Sequence, residues 1–422
     1  MSESLRASRG THDVLPDEAD RRHAIEGIVR LELEAAGYRR IETPIFEPTE
    51  LFHRGVGDST DIVQKETYTF DDRGGRSLTL RPEGTAGVAR AYLEHGMHKL
   101  PQPVRLWYWA PFFRYERAQA GRQRQFWQFG AEAIGSEDPA LDAEGIVLLR
   151  RIVDGVLAMA GKDEAARAGV RLRLGSLGSI AARAAYRERL VDYLRAHEQR
   201  LSQEVRERID LNPLRAFDSD DPSTREVMTG APLLLDHLDA EDAEHFAEVR
   251  ALLDAAGVGY EIDPTLVRGL DYYSRTVFEL TSDALGAQSG VGGGGRYDGL
   301  LDQLGGPATP AFGWGSGVER LLLAAGEGFS PVPRGDTTYV VWAEGRRHEA
   351  FALVHALRER GLPAQLDLGG RGMKGQRRRA ERARARYVAT VAEDGAIGVR
   401  DHETRVEEQV TDVAAAVDRI DG

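Results

Sequence analysis

The sequence predicts an α+β protein: an antiparallel sheet carrying an inserted helical subdomain, followed by a separate small α/β domain. Three observations predict this. Strand-like runs at Ser77–Leu80, Val104–Arg114 and Phe126–Ile134 are joined by loops rather than by regular crossover helices, as in antiparallel sheets. Residues 183–256 turn helical and charged, broken at Asn212-Pro213 and again over Asp218–Pro222. Beyond the proline-rich stretch Ser330-Pro331-Val332-Pro333, strand and helix signals alternate strictly. The expected division is therefore 1–330, with about 183–256 inserted, and 334–422.

In chain order, Ile25, Ile28, Leu31 and Ala35 recur at helical spacing after Pro16, and Gly37 stands where a helix C-terminal glycine belongs. Tyr38–Ile45, with β-branched residues and Pro44, reads as an extended edge strand. The three strand runs and the helical insert follow. Strand and glycine signals return at Leu266–Leu280 and Gly290–Gly295, before a helix that begins near Ser316. Thr338–Trp342, Glu349–Arg360, Ala364–Leu368, a basic helix and Tyr387–Val391 then read as β, α, β, α, β.

The chain has 422 residues, which exceeds what one core usually organises. Its composition, 41% hydrophobic and 29% charged, is that of a globular protein. It has no cysteine, which excludes disulfides, thiolate chemistry and cysteine-ligated zinc. No signal-peptide core and no apolar run of membrane-spanning length are visible, so a cytoplasmic protein with no membrane association is expected. A net charge of −13 argues against a surface wholly devoted to nucleic acid. Against that mean, Arg371–Arg386 holds eight basic residues and one acidic one, the strongest charge asymmetry in the sequence.

Strand alternation in Phe126–Ala133 puts Gln128, Gly130 and Glu132 on one face and Trp127, Phe129, Ala131 and Ala133 on the other. The same parity along Leu106, Tyr108, Ala110, Phe112 and Arg114 carries an arginine to the end of the neighbouring strand. Polar residues so placed suit a cleft, and equally the wet face of an open sheet. The glycines at 292–295 suit a flexible loop or a close backbone approach to a ligand. Tyr272-Tyr273 also reads as ordinary strand packing. His95 and His98 read as solvated or capping residues, and no histidine has metal-ligand spacing with a supporting carboxylate, so no protein metal site is expected.

Arg114–Arg117 with the loop through Arg124 and the Gln128/Glu132 face resembles motif 2 of the class II aminoacyl-tRNA synthetases, and Ala311–Leu322 (AFGWGSGVERLL) with Arg320 resembles motif 3. Leu266–Leu280 (LVRGLDYYSRTVFEL) and Gly293–Leu300 (GGGRYDGL) are similar to the two signature segments of the histidyl-tRNA synthetase family, and Thr79–Thr85 and Arg9–Pro16 match it too. The resemblance thus runs from about residue 9 to the C-terminus. It implies a class II catalytic domain and a C-terminal anticodon-binding domain, ligating L-histidine to tRNA(His) with ATP and Mg2+, as a homodimer formed through the region around Pro44.

By the same resemblance, Arg114 holds the ATP α-phosphate, Arg268 stabilises charge at the reacting centre, and Arg124 and Arg320 contact ATP, with Arg320 on the distal phosphates. Glu83, Gly84 and Thr85 lie near the histidine ammonium, with Gln128, Glu132, Arg268, Tyr272 and Tyr273 around the rest. Positioning and charge neutralisation suffice for such phosphoryl chemistry, without a protein nucleophile. Lys374, Arg377 and Arg378 on the basic helix are the implied tRNA contacts, though a basic helix also suits a solvated face. Ala118, Gln123, Trp127, Gly175 and Trp314-Gly315-Ser316 depart from the family pattern. The rival is the regulatory subunit of ATP phosphoribosyltransferase, a non-catalytic relative in which the ATP arginines and the C-terminal domain would be lost.

Overall fold

The computed structural model describes residues 5–57, 60, 62–116, 121–266, 270–286, 289–326, 329 and 337–421. The chain divides into two compact units, Met1–Pro331 and Val332–Gly422.

The first unit opens with α1 (Pro16–Ala35), whose proline at the first turn suits a helix start. Its buried stripe is Arg22, Ile25, Val29 and Leu33, at i, i+3, i+7 and i+11, whereas Leu31 is 64% exposed. Of the expected stripe, Ile25 and Ile28 meet the core, while Leu31 and Ala35 are exposed. Gly37 takes φ +81°, as a residue ending a helix through the left-handed region must. Then come β1 (Arg39–Arg40), β2 (Phe46–Pro48), α2 (Thr49–Val56), β3 (Tyr68–Asp71), β4 (Ser77–Leu80), α3 (Thr85–Glu94), β5 (Val104–Phe113), β6 (Gln125–Ile134), α4 (Pro139–Met159), α5 (Glu164–Ala168) and β7 (Val170–Ser176). The helical stretch comprises α6 (Ile180–Ala196), α7 (Gln203–Arg208), α8 (Pro222–Met228) and α9 (Ala240–Ala255). The unit closes with β8 (Glu261–Ile262), β9 (Ser274–Ser282), β10 (Gly290–Arg296), α10 (Leu300–Gln303), β11 (Ala311–Gly317) and α11 (Val318–Ala325).

Eight strands form the main sheet in the order β1-β5-β6-β11-β10-β9-β7-β8. All its neighbours pair antiparallel except the short outer pairs β1–β5 and β7–β8, which are parallel. The extended segment at Tyr38–Ile45 thus contributes only two residues, at the sheet edge. Ser77–Leu80 is a strand with the expected bounds, but it belongs to a separate three-stranded sheet, β2-β4-β3. Gly290–Arg296 is an interior strand, in keeping with the strand signals at Gly290–Gly295 and not with the flexible-loop alternative for 292–295. A Cβ on Gly294 would lie 2.0 Å from the Gly313 carbonyl oxygen, so the bare backbone lets three strands close up there.

The sheet separates two cores. Trp107, Trp109, Phe129, Ala131 and Ala133 pack with α1, α4 and α9 on one side. Leu106, Tyr108, Ala110 and Phe112 face the other, with Tyr92, Tyr186, Tyr272 and Tyr297. The inserted helices build no core of their own: Phe246, Val249 and Leu253 of α9 join the first, and Tyr186, Leu190 and Leu194 of α6 join the second.

The second unit contains β12 (Thr338–Trp342), α12 (Arg347–Glu359), β13 (Ala364–Leu366), α13 (Met373–Arg382), β14 (Tyr387–Val391), β15 (Ile397–Asp401), β16 (Glu407–Val410) and α14 (Val413–Asp421). Its sheet runs β13-β12-β14-β15-β16, parallel over the first three strands and antiparallel beyond. The basic helix ends at Arg382, short of the expected Arg386. Among the described residues, no helix is long and apolar enough to cross a membrane.

Candidate active site

The antiparallel register of β5 and β6 sets Leu106 opposite Glu132, Tyr108 opposite Gly130 and Ala110 opposite Gln128. Room for the Tyr108 ring comes from two glycines. A Cβ on Gly130 would stand 2.4 Å from the Tyr108 hydroxyl, and one on Gly84 would stand 2.4 Å from Tyr108 Cζ. Tyr108 thereby donates across the strand to Glu132 Oε1 at 3.5 Å.

Glu132 is fully buried, and its carboxyl also accepts hydrogen bonds from the hydroxyls of Thr85 (2.8 Å, to Oε1) and Tyr297 (2.5 Å, to Oε2). Beside it, Glu83 accepts the backbone N–H groups of Thr85 at 2.7 Å and Ala86 at 2.9 Å, which sets an acid on the N-terminus of α3. The Tyr272 hydroxyl reaches Glu83 at 3.5 Å, and the Tyr272 ring lies 4.8 Å from that of Tyr273 and 5.7 Å from that of Tyr297. Burial raises both acids. Glu132 is pushed up to about 8, against the pull of its hydroxyl donors and with the push of the Glu83 charge. Glu83 is raised by burial, opposed by the two N–H groups and by the Arg114 guanidinium. Two buried acids walled by tyrosines form a site that a cationic, hydrogen-bonding ligand would relax.

On the same face, Gln128 opens into a cleft of about 680 Å³ lined also by Arg114, Arg122, Arg320 and the backbone of Gly292 and Gly293. Arg114 follows the last residue of β5. Its Nε donates to the Pro82 carbonyl at 2.8 Å, and its guanidinium lies over the Phe126 ring at 5.4 Å. Arg320, in the first turn of α11, donates from Nε to the Gly290 carbonyl. Burial and then the Arg122 charge work against its ionised form, while Glu279 and Glu116 support it. Clustered cations beside bare glycine backbone can receive a polyphosphate.

Of the residues singled out in the sequence, Glu83, Thr85, Glu132, Tyr272 and Tyr273 come together in the buried cluster, with Gly84 making room for it. Arg114, Gln128 and Arg320 come together in the cleft. Arg268 lies outside the described residues, as do Arg117 and Ala118. Arg124 does not line the cleft: its guanidinium stacks over Tyr115 at 3.9 Å, its Nε donates to the Glu116 carbonyl at 3.4 Å, and its backbone N–H donates to the Gly10 carbonyl at 2.7 Å. Sequence reasoning missed Tyr108, Tyr297, Arg122 and Glu279. Tyr108 was signalled by sharing the parity of Arg114. In the second unit, Gln376 pins α13 by pairing with the Trp342 backbone (2.9 and 3.2 Å), which leaves Lys374, Arg377 and Arg378 exposed.

A family model described as Histidyl-tRNA synthetase matches residues 10–321. The chain is 47% identical to the histidine–tRNA ligase of Halorhodospira halophila, with 95% of this chain and 94% of the relative covered. It is 48% identical to that of Corynebacterium jeikeium, with 98% and 93% covered. The crystal structure of apo histidyl-tRNA synthetase from S. aureus superposes with a TM-score of 0.82 at 33% identity, over 99% of this chain and all of that one.

Proposed function

This chain belongs to the histidyl-tRNA synthetase family, and from that premise we infer that it ligates L-histidine to tRNA(His). The histidine carboxylate attacks the ATP α-phosphate and expels diphosphate. A terminal tRNA hydroxyl then takes the histidyl group from the adenylate and releases AMP.

The observation that carries this reading is the placement of two chemically opposite sites along one strand. Glu132 in the acidic cluster and Gln128 in the cationic cleft share a face of β6. Glu132 lies four positions beyond Gln128, about 14 Å at ~3.4 Å per residue. A substrate pair that is cationic at one end and polyanionic at the other fits that span. In this assignment Glu83, with Gly84 and Thr85, receives the ammonium, while Glu132, Gln128, Tyr272 and Tyr273 surround the remainder of the amino acid. A buried site that pairs both imidazole nitrogens discriminates against analogues lacking one, because its own polar groups would be left unpaired.

Arg114 holds the α-phosphate and Arg320 the distal phosphates; Arg268 is assigned to the reacting centre. Arg122 lines the cleft and is a better candidate for direct phosphate contact than Arg124, which supports the wall through Tyr115.

Among the described residues no three His, Cys, Asp or Glu side chains converge to cage a metal. Mg2+ commonly binds through one or two carboxylates plus substrate phosphates, and Glu116 and Glu279 in the cleft suit that role. The ion would neutralise phosphate charge there. Lys374, Arg377 and Arg378 are assigned to tRNA and the second unit to anticodon binding. A homodimer through the region around Pro44 is supported by the exposed Ile45, Phe46 and Phe70, the last two with rings 6.3 Å apart. We place the protein in the cytoplasm. The regulatory-subunit reading leaves the arginine cleft without a use.

Histidine-dependent exchange of labelled diphosphate into ATP tests the assignment. Exchange with histidine and none with other amino acids is expected; a folded protein with no exchange would refute it.

A further inference from the structure

The loop that carries Tyr272 and Tyr273 is held from an unexpected direction. Arg183 stands one turn into α6, the first inserted helix. Its Nη1 donates to the carbonyl of Tyr273 at 2.7 Å and its Nη2 to the carbonyl of Asp271 at 3.0 Å. Those two carbonyls flank Tyr272, whose hydroxyl reaches Glu83. One planar guanidinium therefore fixes the peptide plane before Tyr272 and the one after Tyr273, bracketing the tyrosine pair.

Behind this contact, Tyr186, Leu190 and Leu194 of α6 share a core with Tyr272, Tyr273 and Tyr297. The helix axis is thus packed against the same loop that its arginine grips. Arg183 is half-buried. Burial works against its charge, with Asp271 opposing that loss. A cation kept there against its desolvation cost is one whose hydrogen-bonding geometry is used.

We propose that Arg183 is a positioning residue for histidine recognition, through which the inserted helices set the placement of Tyr272 and Tyr273. It does not line the phosphate cleft, so its influence belongs to the amino-acid end of the site. The inference rests on the histidine-ligase reading and adds to it a link between the insert and amino-acid affinity. Lysine is a poor substitute, because its three donors radiate from one nitrogen, whereas the planar fork sets a separate nitrogen on each carbonyl.

The test measures histidine binding calorimetrically on the full chain and, in parallel, KM for histidine and for ATP in diphosphate exchange, for wild type, Arg183→Lys and Arg183→Ala. Histidine affinity should fall tenfold or more in both variants while KM for ATP stays within about threefold. Guanidinium ion at millimolar concentration should restore part of the histidine affinity of Arg183→Ala. Unchanged histidine affinity in Arg183→Lys would overturn the proposal, whatever happens to the melting temperature and even if Arg183→Ala does not fold. Equal losses for histidine and ATP would also overturn it, since that is the signature of general loosening. A wild type that binds histidine but shows no exchange would count against the ligase reading and leave the Arg183 comparison to be decided by calorimetry.

Discussion

Replacing Glu132 by glutamine keeps the shape of the side chain and removes its ability to become an anion. In the native site its two oxygens accept from Thr85, Tyr108 and Tyr297 at 2.8, 3.5 and 2.5 Å. The glutamine keeps one acceptor oxygen, and the hydroxyls can turn to accept from its amide, so the fold should survive. What is lost is a charge-capable partner for the amino-acid substrate. A hydrogen bond to a charged group contributes ~1.5–3 kcal/mol, or about 10- to 150-fold in affinity. KM for histidine should rise within that range in diphosphate exchange, with KM for ATP unchanged, because the arginine cleft lies toward the other end of β6.

The same variant has a stability signature. Glu132 is raised from an ordinary 4.5 to about 8 in the folded chain, so between those values the folded state holds a proton that the unfolded chain releases. Unfolding free energy therefore falls as pH rises through that window. The glutamine variant lacks this loss, so its thermal midpoint relative to wild type should improve from about pH 5 to about pH 8. A histidine KM unchanged by Glu132→Gln would refute the placement of Glu132 in the amino-acid site, and a midpoint difference that is flat with pH would refute its raised pKa.

Gly130→Ala would bring a methyl within 2.4 Å of the Tyr108 hydroxyl and 2.6 Å of the Trp314 carbonyl. Overpacking of ~1–3 kcal/mol and a raised histidine KM are expected, read by thermal unfolding and exchange kinetics. Asp142→Ala would strip the fully buried Arg296 of the carboxylate it meets at 2.5 Å, and His245 of its partner at 2.9 Å. Arg296 keeps Asp298 at 3.3 Å, so the loss should approach, without reaching, the ~3–5 kcal/mol of a wholly uncompensated buried charge, visible as a lower urea midpoint. Arg320→Ala should impair ATP use far more than histidine binding, and a larger effect on histidine KM would contradict its place in the cleft. Removing residues 334–422 should leave diphosphate exchange largely intact but weaken tRNA charging; equal charging would refute the anticodon role.

Much of this architecture was legible because physical constraints are written locally. Thr338–Trp342 and Tyr387–Val391 are short apolar runs bounded by polar turns, and both are strands with those bounds. The alternation in Phe126–Ala133 sorted core from cleft correctly, because β6 sits between two neighbours and each face has a fixed environment. Elsewhere the deciding contacts are distant in sequence. Leu31 has the right spacing for a buried stripe, yet α1 presents Val29 and Leu33 to the core, since the partner helices choose the face. The glycines of β10 carry no side-chain period, so the sequence left a loop open beside a strand; the close approaches of the Gly313 carbonyl to Gly294 and of the Thr276 carbonyl to Gly295 show why bare backbone is needed there. Val170–Ser176, a strand paired with β9, went unread although Val170, Leu172 and Leu174 alternate with Arg171 and Arg173 as a half-buried strand should. Arg124 and Arg122 are equivalent in a sequence two residues apart. The stack on Tyr115 separates them.

The most direct measurement is charging of a tRNA(His) transcript by the purified full-length chain with labelled histidine. ATP-dependent transfer of histidine to this tRNA, and to no non-cognate tRNA, is the predicted result. A folded protein that binds histidine yet transfers none would contradict the account.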